Sequence, residues 1–201
     1  MSGESQFAVF TVGHSTRSVD EFIRLLTTYG VGLVVDVRMV PLSRHNPQFN
    51  KETLASGLKT VNIKYIHMPG LGGLRRPVHD SVNLGWENKS FRGYADYMQT
   101  RDFTENLLPL IALIQKNCLV IMCAEAVPWR CHRSLLSDAL TVRHIKVKHI
   151  LTETSFTNHE LTPFAHAEGT KVTYPLFVKE KPQRTLADFG VLSPADSTKS
   201  F

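Results

Sequence analysis

Apolar residues along this chain fall into short runs separated by polar stretches that carry glycine and proline. The spacing inside each run predicts alternating strands and helices. Residues 7–12 (Phe-Ala-Val-Phe-Thr-Val) read as a first buried strand, closed by Gly13. Ser18-Val-Asp-Glu21 has the spacing of a capping box, so a helix is expected from about Val19. Phe22, Ile23, Leu25 and Leu26 form its apolar face and Gly30 ends it. Residues 32–37, rich in β-branched side chains, predict a second strand, and residues 38–50, with two prolines, a polar loop. Leu54 and Leu58 predict a short helix over residues 51–60. A third strand over 63–67 then feeds the turn-prone Met-Pro-Gly-Leu-Gly-Gly of residues 68–73.

Residues 75–90 show no periodicity and predict a long loop, a candidate lid. Tyr94, Tyr97 and Met98 point to a helix, and a second is expected from about 103 to 116, with Pro109 either kinking it or marking its true start. Residues 119–122 predict the strand before a compact loop. A helix carried by Leu135, Leu136, Ala139 and Leu140 follows, then a last strand over 147–151. This alternation predicts a three-layer α/β fold: a mostly parallel sheet with helices on both faces. One domain is expected over residues 1–178. Beyond it the polar, proline-bearing residues 179–201 predict a flexible tail.

The 201 residues, 42% hydrophobic and 20% charged, suit one domain with a substantial core. No run approaches a membrane span, and the N-terminus lacks a signal-peptide pattern. Three cysteines, two of them flanking the loop after the fourth strand, argue against a disulfide framework and predict a reducing, cytoplasmic setting. A net charge of +5 favours polyanionic partners, although a solvated basic surface explains it equally well.

Chemically capable residues gather where the predicted strands stop. The first strand ends in Gly13-His14-Ser15-Thr16-Arg17, and the second carries Asp36 and Arg38 and runs on to Ser43 and Arg44. The third ends at His67. The fourth empties into a loop holding Cys123, Glu125, Trp129, Arg130, Cys131, His132 and Arg133. In a parallel sheet these ends share one edge, where open α/β folds bind ligands, and the helix start after the loop favours an anion. Several of these residues also fit plainer roles. Ser15 and Thr16 suit a helix-capping turn, Asp36 and Arg38 a structural pair, and Trp129 a packing position at the mouth of the site.

The cysteine loop admits three readings. Cys123, Cys131 and His132 could bind zinc or another metal, although their spacing fits no standard zinc signature. Cys123 could be a thiolate nucleophile activated by the helix start and the arginines. The cysteine-phosphatase spacing, however, would put the arginine where Trp129 stands. In the favoured reading both cysteines pack, while Glu125, His132 and Arg133 position a phosphate-bearing ligand.

The motifs Val12-Gly-His-Ser-Thr-Arg-Ser18, Val35-Asp-Val-Arg38 with Pro41 and Ser43-Arg44, Leu71-Gly-Gly73, Phe91-Arg-Gly-Tyr-Ala-Asp-Tyr97, and Met122-Cys-Ala-Glu125 with Cys131-His-Arg133 resemble the family known as domain of unknown function 488. The resemblance runs from Val9 to Ile150. It implies a compact three-layer α/β fold and a shared polar pocket, with motif positions at His14, Ser15, Asp36, Arg38, Ser43, Arg44, Cys123, Glu125, Cys131, His132 and Arg133. It brings no reaction with it.

In the tail, Gln183, Leu186 and Phe189 have the spacing of a sliding-clamp-binding peptide, preceded by Lys179 and Lys181. Gly190 stands where such peptides carry a second aromatic residue. A clamp partner would link the protein to DNA replication or repair. The reading that joins these features is an enzyme acting on a nucleotide or nucleic acid, with hydrolysis the candidate reaction. Arg38, Arg130 and Arg133 hold phosphate, Asp36 or Glu125 is the general base, and His14 donates a proton or orients the ligand. The rivals are a non-catalytic DNA- or nucleotide-binding module and a metal- or thiol-dependent protein.

Overall fold

The structure, a computed structural model, describes residues 7–176. Gln183, Leu186 and Phe189, with the rest of the expected tail, lie outside the described residues. In chain order the elements are β1 (Phe7–Gly13), α1 (Val19–Thr28), β2 (Leu33–Asp36), α2 (Lys51–Thr60), β3 (Lys64–His67), α3 (Lys89–Tyr97), α4 (Arg101–Ile114), β4 (Leu119–Cys123), α5 (Arg133–Thr141), β5 (Ile145–Ile150), β6 (Phe156–Asn158), β7 (His166–Glu168) and β8 (Lys171–Thr173). Six strands form one sheet in the order β3-β2-β4-β1-β5-β6, while β7 and β8 pair separately. The first five strands are mutually parallel and β6 is antiparallel at the edge.

Successive side chains of the strands point to opposite faces of a sheet covered on both sides, and this splits the interior into two cores. One face, through Val12, Val34, Val120 and Met122, packs against α1 and α2 by way of Phe22, Leu26, Leu54 and Leu58. The other, through Val9, Val35, Ile121 and Val147, packs against α3, α4 and α5 by way of Tyr94, Leu107, Leu110 and Leu136. The fold is therefore the three-layer α/β sandwich that the sequence predicts.

This winding opens a crevice at one point of the sheet edge. The chain leaves β1 through α1 on one face and moves towards β2 and β3. It leaves β4 through α5 on the other face and moves towards β5. Neighbouring strands β1 and β4 thus send their helices to opposite faces. Their C-terminal ends bracket a crevice of the kind that open α/β sheets use for binding.

Local chemistry explains the element ends. Ser18 Oγ accepts the backbone N–H of Glu21 at 3.1 Å and starts α1, while the Glu21 carboxylate turns to Arg17 at 3.3 Å. Thr100 caps α4 in the same way, accepting from Phe103 N, so that helix begins at Arg101 rather than near Phe103 and runs through Pro109. The long loop after residue 75 is anchored rather than free. The buried Asp96 carboxylate accepts hydrogen bonds from Val78 N, Ser81 Oγ and Asn83 Nδ2, and the Arg75 guanidinium stacks 3.7 Å over the Tyr97 ring. Among the described residues no helix is long and apolar enough to cross a membrane.

Candidate functional site

At the crevice lies an open cleft of about 630 Å³. The loops after β1, β2 and β4 line it, with help from the Gly73–Leu74 turn and the start of α3. The β1 and β4 loops are joined edge to edge. His14 N donates to the Cys123 carbonyl and Ser15 N to the Ala124 carbonyl, both at 2.9 Å. Gly13 makes that approach possible, because a Cβ there would sit 1.8 Å from the Glu125 carbonyl oxygen. Ser15 itself takes a left-handed φ of 51°, a conformation that L-residues adopt at a cost and that recurs at functional sites.

The β2 end supplies a buried ion pair. Asp36, fully enclosed, accepts Arg38 Nε on both oxygens and Arg38 Nη2 and the Tyr65 hydroxyl on Oδ2. Arg38 Nη2 also donates to the Phe49 carbonyl and Nη1 to His14 Nε2 at 3.2 Å. His67 Nε2 closes the cluster on the Arg38 carbonyl. These bonds occupy four of the five guanidinium N–H groups and leave one on Nη1 for the cleft that Arg38 lines.

His14 is an acceptor here. Its Nδ1 lies 2.8 Å from the Ser15 carbonyl oxygen, which can only accept, so Nδ1 carries the proton and Nε2 presents a lone pair to Arg38. Burial, helped by the Arg38 charge, lowers its pKa to about 4, so the ring is neutral at physiological pH. Its face stacks on Phe49 with centroids 4.2 Å apart. Its N–H is thus committed to the Ser15 carbonyl and its lone pair to Arg38.

The β4 loop is built around Arg133. This side chain is almost wholly buried and donates to the Glu125 carbonyl, to Thr11 Oγ1 at 3.3 Å and to Cys131 Sγ at 3.4 Å. The two buried thiols titrate in opposite directions. The hydrogen bond from Cys123 draws Cys131 well below the ordinary thiol range, and His132 and Arg133 add to the effect; the same bond and burial push Cys123 up. His132 Nδ1 lies 3.6 Å from Cys131 Sγ, in space that exists because residue 73 is glycine.

Cys123, Cys131 and His132 bring their donor atoms within 4.8 Å of one another, a donor set that suits zinc by type. The surroundings fit a metal poorly. Arg133 Nε is already directed at the Cys131 sulfur, and His132 Nε2 is buried without the hydrogen-bond partner that metal-bound imidazoles use for orientation.

Of the residues expected in the site, His14, Ser15, Arg38, Ser43, Cys123, Glu125, Arg130 and His132 line the cleft. Glu125 and Arg130 are exposed on its rim. Asp36 and Arg133 meet the same strand ends but stand behind the cleft wall, engaged with protein groups rather than facing a ligand. Arg44 is exposed and outside the lining. The apolar part of the wall, Met39, Val40, Leu42, Leu74 and Phe91, was not expected, nor were the supports Phe49 and Tyr65. The signal lay in Met39-Val40-Pro-Leu42, an apolar run inside a segment that otherwise reads as polar.

The family model described as "Domain of unknown function DUF488" matches residues 18–140, more than half of the chain. The chain belongs to the DUF488 family. The matched span contains all of the β2 and β4 loops and the Arg38–Asp36 and Arg133–Cys131 pairs, while His14 and Thr11 precede it. No curated protein and no solved structure matches the chain.

Proposed function

We propose that this DUF488 protein is an enzyme acting on a nucleotide or nucleic acid and that the cleft at the β1–β4 crevice takes the phosphate-bearing ligand. One observation carries the reading. A single cleft combines cationic groups, Arg38 and Arg130, with an apolar wall of Met39, Val40, Leu42, Leu74 and Phe91. Phosphate needs the first and a planar base the second. Arg38 is held rigid by Asp36, His14 and the Phe49 carbonyl, so its remaining N–H reaches a ligand with little ordering cost. Arg133 contributes indirectly, by fixing the Glu125 carbonyl.

Glu125 is the general base in this reading. Its carboxylate is exposed on the rim, whereas every Asp36 oxygen is committed to Arg38 or Tyr65. Calorimetric titration with mononucleotides against the matching nucleosides tests the binding half. Nucleotides should bind and nucleosides should not, and Arg130→Ala should weaken binding by about tenfold, as loss of a charge-assisted contact does. Equal affinity for nucleoside and nucleotide would overturn the phosphate assignment. Turnover that disappears in Glu125→Gln with binding retained supports the enzyme. Saturable binding with no turnover makes the chain a binding module instead. The Gln183–Leu186–Phe189 spacing adds a sliding clamp as proposed partner, tested by pull-down of the full chain against one ending at residue 178.

A further inference from the structure

Arg133 and His132 direct their nitrogen atoms at one sulfur. Arg133 Nε donates to Cys131 Sγ at 3.4 Å, and His132 Nδ1 stands at 3.6 Å. A guanidinium is only ever a donor, so the group that it faces is best satisfied as an anion. Proton placement on His132 agrees: with Nδ1–H towards the sulfur, the buried, partnerless Nε2 is a bare lone pair rather than a stranded donor. The Cys123 sulfur lies within 4.8 Å, so rotation about the Cα–Cβ bonds would bring the two sulfurs towards bonding distance. Both cysteines border the cleft, and neither the phosphate contacts nor the general base uses them.

We propose that Cys131 and Cys123 form a redox dithiol, with Cys131 the nucleophile and Cys123 the resolving thiol, that reduces small disulfides entering the cleft. The Cys131 thiolate attacks one sulfur of a disulfide RS–SR. A Cys131–SR bond forms, the RS–SR bond breaks, and RS⁻ leaves. Cys123 passes its proton to that departing thiolate and attacks Cys131 sulfur, giving the internal disulfide and a second RS⁻. The substrate gains two electrons and the two cysteines lose them. An external dithiol restores the starting state. This activity is independent of nucleotide binding, so either can fail without the other.

The test uses the full chain carrying Cys118→Ser, which removes the exposed thiol. Oxidised glutathione is added, the reaction is quenched in acid, and peptides are mapped by mass. A Cys123–Cys131 disulfide is expected. Cys123→Ser should stop at a glutathione adduct on Cys131, and Cys131→Ser should leave Cys123 reduced. Should a serine variant fail to fold, the alkylation rates of the two thiols in the otherwise intact chain decide. Cys131 should react at least about tenfold faster than Cys123 near neutral pH. Glutathione on Cys123 in Cys131→Ser, equal alkylation rates, or a stoichiometric metal that protects both thiols would overturn the proposal.

Discussion

Gly13 has no room for a side chain, since its Cβ would overlap the Glu125 carbonyl. Gly13→Ala must therefore push the β4 loop off the end of β1. It should cost about 1–3 kcal/mol in chemical unfolding and abolish nucleotide binding even where the protein stays folded. Asp36→Asn should cost more, about 3–5 kcal/mol, because it strands the nearly buried Arg38 guanidinium among partners that were satisfied. A loss below 1 kcal/mol would contradict the account of that pair. His14 and His149 set the acid limit. Burial lowers the first pKa to about 4 and the second to about 3, each from 6.5. Below about pH 6.5 the unfolded chain takes up these protons before the folded one does, so stability rises with pH across that window and is lost on acidification. The thermal midpoint should fall between neutral pH and about pH 5, and His14→Gln should make the fall shallower. An unchanged slope would show that His14 is not a source of it.

At the scale of elements, the loop between β3 and α3 is the place to look for a lid, and its geometry assigns it another role. Asp96 ties residues 78–83 to α3, and of this loop only Gly73 and Leu74 border the cleft, with Ser90 and Phe91 contributed by the start of α3. Asp96→Ala should make residues 76–82 susceptible to limited proteolysis and cost about 1–3 kcal/mol, while mononucleotide affinity stays within about twofold. The sequence made the main elements legible because their signals are local: the Ser18–Glu21 spacing, the apolar runs of β1, β2 and β4, and the face formed by Leu54 and Leu58. The three-residue strands β6, β7 and β8 are too short for any period to show, and Phe156–Asn158 joins the sheet only through pairing with β5. Side-chain roles were harder still. Spacing leaves Asp36–Arg38 open as a structural pair, but that Tyr65 completes it, and that Arg133 turns inward to Thr11 and the Glu125 carbonyl rather than to the cleft, depends on side-chain directions and on distant contacts that no local pattern carries.

For the whole molecule, the net charge of +5 offers two places for an anion. One is the crevice. The other is one face of β5, where Lys148 lies over the Phe10 and Phe156 rings and Lys146 is exposed. The strand register puts Lys146 beside Ala8 and Lys148 beside Phe10, five and three residues before Gly13, and so roughly 16 and 10 Å from the crevice along β1. Both exceed the screening length at physiological salt. Lys146→Gln with Lys148→Gln should therefore leave mononucleotide affinity within about twofold. Amide chemical-shift mapping during titration with a mononucleotide tests the central claim most directly. The account predicts perturbations concentrated at Ser15, Arg38, Ser43, Glu125 and Arg130. Perturbations confined to Lys146, Lys148 and Phe156, with the crevice residues silent, would contradict it.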